Sequence, residues 1–300
     1  MRVFYSDHHT VELPPGHRFP MGKYRALREA LLQGGVLATE DLHPAPMATR
    51  AELERVHDPA YVASILDGTI DAKAQRRIGL PWSPALVARS SASAGGTLAA
   101  ARAALVDGLA ANLAGGTHHA HRAYGAGFCV WNDLAVTAAA LLAEGHVARV
   151  LVFDVDVHQG DGTAAIFAGD ERVQTFSLHG ARNFPFEKQA SDLDVPLPEG
   201  AGDDDVLAAV EQGLAHFAAQ PAPGLVLYQG GVDALATDSL GRLRMTHAGL
   251  AERDRRVLAH FRARDIPVVL TLGGGYAKPI DDTVAAHANT YRVATALAGR

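Results

Sequence analysis

The chain has a single cysteine, Cys129, among its 300 residues. It can form no internal disulfide, and it fits a reducing, cytoplasmic compartment. Positive charge is short as well. A formal net charge of −6 and a pI near 6.2 leave no basic stripe to release counterions, which argues against a general nucleic-acid binder. No apolar run is long enough to cross a bilayer, and Met1 to Tyr5 leads straight into acidic and histidine-rich sequence, so neither a membrane span nor a signal peptide is expected. Fixed-period repeats and low-complexity linkers are missing too. What is there is 48% hydrophobic and 20% charged, enough to bury a large core, and residues 1–300 are expected to form one domain.

The stretch from Val150 to Gly162 organises the rest. It opens with the apolar run Val150-Leu-Val-Phe153, the mark of a strand buried on both faces of a sheet. Asp154, Asp156 and His158 then follow at alternate positions, and strand period two aims them to one side where the strand leaves the sheet. Carboxylates beside Val and Phe are costly to bury unless a cation or hydrogen-bond donors compensate. The bland alternative is a helix start capped by Asp161, with the other acids solvated.

Similar units recur. Strands are expected at Arg2–Ser6, Val173–Leu178, Gly224–Tyr228 and Pro267–Leu272, and helices at 22–33, 84–109, 133–143, 203–219, 246–264 and 282–298. Residues 180–201, with Phe184-Pro185-Phe186 and two further prolines, read as irregular. Strand, glycine-rich polar turn and helix in succession predict an α/β fold: a doubly wound, mostly parallel sheet with helices on both faces and the polar turns gathered on one edge.

On that edge fall His118, His119, Asp154, Asp156, His158, Asp161, Asp233 and Tyr276. Catalytic zinc takes three protein ligands and keeps a place for water, and Asp156, His158 and Asp233 supply such a set. His118 and His119 are two candidates for the base, with Asp154 and Asp161 free to orient an imidazole. Tyr276, beside three glycines, can donate its hydroxyl to a developing oxyanion. The parts fit amide hydrolysis. Taken singly they are bland: Asp233 could cap a helix, Phe128 and Phe184 are ordinary core residues, and Cys129 reads as a small buried hydrophobe.

Gly115-Gly-Thr-His-His-Ala120, Gly127-Phe-Cys129, Asp154-Val-Asp-Val-His-Gln-Gly-Asp161, Ser177-Leu-His179, Gly231-Val-Asp233 and Gly273-Gly-Gly-Tyr276 resemble, in order, the motif series of the zinc-dependent histone deacetylase family. The likeness is strongest to its bacterial and class IV-like members. It implies the arginase/deacetylase fold and one catalytic Zn2+ on Asp156, His158 and Asp233. It further implies His119 as general base, paired with Asp161, and His118 as its electrostatic partner, paired with Asp154. Tyr276 would polarise the acyl carbonyl, and Gly127, Phe128 and Phe184 would wall an acyl-lysine tunnel. A structural K+ would sit on Asp154, Asp156 and Ser177 with the carbonyls of His158 and Leu178. The implied partner is an acyl-lysine protein or peptide. A small acylated amine such as an acetylpolyamine is the second reading, and a non-catalytic acyl-lysine-binding protein the third. Gln159 stands where many eukaryotic members carry a second histidine.

Overall fold

The computed structural model describes residues 1–299; Arg300, the last residue of the expected domain, lies outside them. Eight strands alternate with ten α-helices: β1 (Val3–Tyr5), α1 (Lys23–Gln33), β2 (Leu42–Pro44), α2 (Arg50–Leu53), α3 (Pro59–Leu66), α4 (Ala72–Ile78), α5 (Pro84–Asp107), β3 (Leu109–Asn112), α6 (Asp133–Ala143), β4 (Val150–Asp154), α7 (Asp161–Phe167), β5 (Val173–Gly180), β6 (Leu193–Leu197), α8 (Asp203–Ala218), β7 (Leu225–Gln229), α9 (His247–Arg262), β8 (Val268–Thr271) and α10 (Ile280–Ala298). The strands form one sheet in the order β2-β1-β3-β8-β7-β4-β5-β6, with every pairing parallel.

Strand periodicity divides the core in two. On β4, Leu151 and Phe153 join one apolar cluster with α1, α8, α9 and α10, while Val150 and Val152 join another with α3, α5, α6 and α7. The same alternation on β7 sends Val226 and Tyr228 one way and Leu225 and Leu227 the other. Both faces are therefore covered, as an all-parallel sheet requires. The strands all point the same way, so the loops after β3, β4, β5, β7 and β8 leave one edge together.

Three local expectations need correction. β4 ends at Asp154, so strand period two does not place Asp156 and His158; an irregular turn stitched by side chains does. The helix read over 84–109 stops at Asp107, because Gly108 takes a left-handed φ of 78°; Leu109 then opens β3, whose four residues are too few to show alternation. Within the irregular 180–201 stretch, Leu193–Leu197 forms the edge strand β6. Its Pro196 is tolerated there because an edge strand has one side free of ladder hydrogen bonds.

Candidate active site

The turn after β4 is built by its own acids. Asp154 Oδ1 accepts the N–H of Asp156 at 3.0 Å, and Asp156 Oδ1 accepts the N–H of His158 at 3.0 Å. From the loop after β7, Asp233 Oδ1 accepts the N–H of Val157 at 2.9 Å. Each carboxylate thus commits at least one oxygen to fixing the backbone. His158 Nδ1 lies 3.1 Å from Asp156 Oδ1 and 3.0 Å from Asp233 Oδ2. One donor atom from each of the three residues falls within 4.8 Å of the others. The glycines after β8 let the chain come close: Gly274 N–H donates to Asp156 Oδ2 at 2.8 Å, and a Cβ on Gly274 would sit 1.8 Å from Asp233 Oδ2.

Asp156 and Asp233 are 1% and 0% exposed. Burial and the Asp156 charge push the Asp233 carboxyl up. The His158 imidazole, which burial alone would push down, is raised by hydrogen bonds and charge from both acids. Two buried carboxylates and an imidazole this close call for a compensating cation, and their oxygen and nitrogen donors suit a divalent ion of the zinc type. The residues fit the group.

Beside this trio stand the two histidines after β3. His118 Nδ1 is 2.6 Å from Asp154 Oδ2, and His119 Nδ1 is 2.5 Å from Asp161 Oδ1. Their environments separate them. Burial pushes His118 down, but the Asp154 and Asp156 charges outweigh it and raise it to about 9. Burial and the neighbouring His118 charge hold His119 at about 4, against the pull of Asp161. Asp161 is no N-cap: Gly160 takes that position with no side-chain bond, and Asp161 sits in the first turn of α7. Its second oxygen meets His121 Nε2 at 2.9 Å. The histidine loop itself hangs on Asp133, whose carboxylate accepts the N–H groups of Gly116 and Thr117 at 3.0 and 2.7 Å. Gly116 has φ +77°, and a Cβ there would meet Gln229 Oε1 at 1.9 Å.

A cavity of about 730 Å3 opens above these groups, lined by His118, His119, Asp156, His158, Asp233 and Tyr276, and by Gly127, Phe128 and Phe184. The Phe184 ring stands edge-on to His119, centroids 4.8 Å apart. Phe128 packs between Phe19 at 5.3 Å and Tyr276 at 6.1 Å. Its backbone has φ 68°, a conformation that costs a non-glycine residue about 1–3 kcal/mol and collects at functional sites. Tyr276 is anchored through its N–H, which donates to Asp238 Oδ2 at 2.6 Å. Of the residues expected to hold K+, Asp154 and Ser177 are register partners on β4 and β5. Cys129 is buried, and burial pushes its thiol up.

Several contributors were given no site role from sequence. Arg253 of α9 is fully buried; it pairs with Asp254 at 2.8 Å and donates to the carbonyls of Gly231 and Val155 at 2.8 and 3.3 Å. It thereby grips both ligand-bearing loops one or two residues from Asp156 and Asp233. Lys23 donates to the Gly275 carbonyl at 3.2 Å beneath Tyr276. Arg89, buried on α5, stacks 4.4 Å from the Tyr24 ring on the cavity wall. His121 had a signal in the short run Thr117-His-His-Ala-His121; Lys23 and Arg89 had none, being scattered cations on ordinary helices.

The fold and this edge define a class, the parallel α/β proteins whose ligand crevice lies at the carboxyl ends of the strands. Residues 17–291 match the histone deacetylase domain. An uncharacterised protein of Picosynechococcus sp. is 48% identical over 292 residues, covering 97% of each chain. Histone deacetylase 2 of Arabidopsis thaliana is 28% identical, covering 92% of this chain and 74% of its own. The crystal structure of an HDAC homologue from Aquifex aeolicus superimposes with a TM-score of 0.83 at 25% identity, over 100% of this chain and 84% of that one; an HDAC homologue complexed with SAHA gives the same figures. The chain belongs to the histone deacetylase family. Among the described residues no helix is long and apolar enough to cross a membrane.

Proposed function

We propose that the chain is a zinc-dependent amidohydrolase, acting as one catalytic unit, that removes acetyl or other acyl groups from lysine side chains of proteins or peptides. The observation that carries this is the convergence of Asp156, His158 and Asp233 within 4.8 Å on the wall of a cavity that also holds two His–Asp pairs. Those three residues would hold the zinc. When bound, such an ion acidifies water and polarises a carbonyl. A structural K+ would rest on Asp154, Asp156, Ser177 and the carbonyls of His158 and Leu178.

The remaining chemistry belongs to the chain. Asp161 holds the Nδ1–H of His119, leaving Nε2 as the acceptor for a water proton. The water oxygen bonds to the acyl carbon while the Tyr276 hydroxyl donates to the oxygen that becomes negative. His118, charged beside Asp154, stabilises the same negative charge. Protonated His119 then gives its proton to the leaving nitrogen, the C–N bond breaks, and a carboxylic acid and a free lysine amine result. Phe128, Phe184 and Gly127 would wall the lysine methylenes and exclude water from them. The family match and the SAHA complex of an HDAC homologue support an acyl-lysine substrate.

The test is a panel of acyl-lysine peptides, from acetyl to long-chain, run beside acetylputrescine, with chelated and zinc-restored protein in parallel. Turnover of the peptides that vanishes on chelation and returns with zinc is expected. Turnover of acetylputrescine alone would replace the lysine substrate with a small amine, and peptide cleavage indifferent to chelation would end the metal reading.

A further inference from the structure

The entrance of the cavity carries a charge pattern that the hydrolytic site does not require. Besides the buried Arg89, four arginines reach its lining from four separate segments: Arg18 before α1, Arg77 in the last turn of α4, Arg182 after β5 and Arg242 between β7 and α9. All four are exposed. Among the described residues the only acids on the lining are Asp156 and Asp233, buried at the proposed metal site. Arg242 pairs with Glu199 at 3.3 Å. Arg18, Arg77 and Arg182 have no carboxylate within ion-pair distance among the described residues, and Arg77 instead stacks 4.4 Å from the Tyr124 ring. This cationic mouth belongs to a chain of net charge −6, so it is a local reversal of the molecule's overall sign. Phe186, 84% exposed, stands beside it.

Exposed guanidiniums that converge without acids to neutralise them raise the local concentration of anions and select against cationic partners. The body's negative charge works against a long polyanion that must lie along the surface, whereas a short acidic segment needs only the mouth. We propose that the entrance selects acyl-lysines flanked by aspartate and glutamate, with Arg18, Arg77 and Arg182 reading the flanking charge. The inference deepens the deacylase reading and rests on it for the acyl-lysine, though the charge preference is measurable without catalysis.

Three acetyl-lysine peptides of equal length and labelled with one fluorophore test it, with acidic, uncharged and basic flanks. Affinity by anisotropy and kcat/KM for deacetylation are measured at low and high salt on the zinc-loaded protein. An exposed pair contributes a factor of about 1.5 to 5, so three sites give the acidic over the uncharged peptide a preference of roughly tenfold at low salt. High salt should shrink it, because such charges are screened within about 10 Å at 0.1 M. In an Arg18→Gln, Arg182→Gln double variant the preference should fall mainly through KM, not kcat. The Arg18→Glu, Arg182→Glu variant should reverse the order in favour of the basic peptide, a result that loss of folding cannot mimic.

Equal affinity for all three peptides, an order unchanged by charge reversal, or tighter binding of a single-stranded oligonucleotide than of the acidic peptide would each overturn the proposal. So would a preference that follows charge on the acyl group instead of the flanks. If the binding order holds but nothing is cleaved, the hydrolase reading falls and this one stands; cleavage without charge preference does the opposite.

Discussion

Replacing Asp161 by Asn probes the pairing on which the proposed base depends. Asp161 offers one oxygen to His119 Nδ1 at 2.5 Å and the other to His121 Nε2 at 2.9 Å, and the residue is 5% exposed. An amide has one acceptor oxygen for those two donors. If its NH2 faces His119, the imidazole must move its proton to Nε2, and the atom that would take the water proton is no longer basic. If its oxygen faces His119, the tautomer survives, but the negative charge that would stabilise the imidazolium is gone. That charge, roughly 4 Å from the ring at an effective dielectric of 20, contributes about 4 kcal/mol. This corresponds to a loss of about a thousandfold in kcat; the wrong tautomer extends it to about ten-thousandfold, as in hydrolases whose histidine loses its orienting acid. The assay is kcat on an acetyl-lysine peptide, with zinc content by elemental analysis and Tm recorded on the same preparation. Asp161 is not a proposed ligand, so zinc content should stay unchanged. A variant with full zinc that retains more than about a tenth of the wild-type kcat would refute the orientation argument.

Tyr276→Phe should keep the metal and lose about a hundred- to thousandfold in kcat, the usual cost of one oxyanion donor; rates near wild type would remove Tyr276 from the mechanism. Asp233→Ala deletes one of three proposed donors and the acceptor of the Val157 N–H, so zinc should be lost, and full occupancy by elemental analysis counts against the ligand set. His57 is 1% exposed, accepts the Asn132 N–H at Nε2 and lies 2.9 Å from the His121 carbonyl at Nδ1, and is held by burial at about 4. An unfolded histidine takes up its proton near pH 6.5 while the native one does not until about 4, so stability is full above 6.5 and drains as pH falls toward 4. Between pH 7 and pH 5 that is about 2 kcal/mol. Urea unfolding at both pH values should show a correspondingly smaller loss for His57→Gln than for wild type, and equal losses would assign the acid sensitivity elsewhere.

The buried strands β4 and β7 were readable because a double-sided sheet writes itself as an uninterrupted apolar run, and the long helices because their periodicity extends over several turns. The short strands β2 and β3 carry too few residues for any period to register. The site residues were nameable for a different reason: polar groups of unusual type follow apolar strands, where solvation cannot explain them. Their roles are another matter. Nothing in the chain order of Asp154, Asp156 and Asp161 says which takes an imidazole; only the family resemblance implied the pairing of Asp154 with His118 and Asp161 with His119, which the folded chain places at 2.6 and 2.5 Å.

Tertiary structure explains how the groups that act across the sheet come together. Asp156 and Asp233 meet because β4 and β7 are neighbours in the sheet although 70 residues and more separate them in the chain. Arg253 reaches their loops from α9, and the arginines of the entrance come from four separate segments with no local pattern in common. Local sequence reports what a residue's near neighbours enforce, through periodicity and the cost of burying charge. Which distant charges end up a few ångströms apart depends on strand order and loop path, and those are settled only when the whole sheet packs.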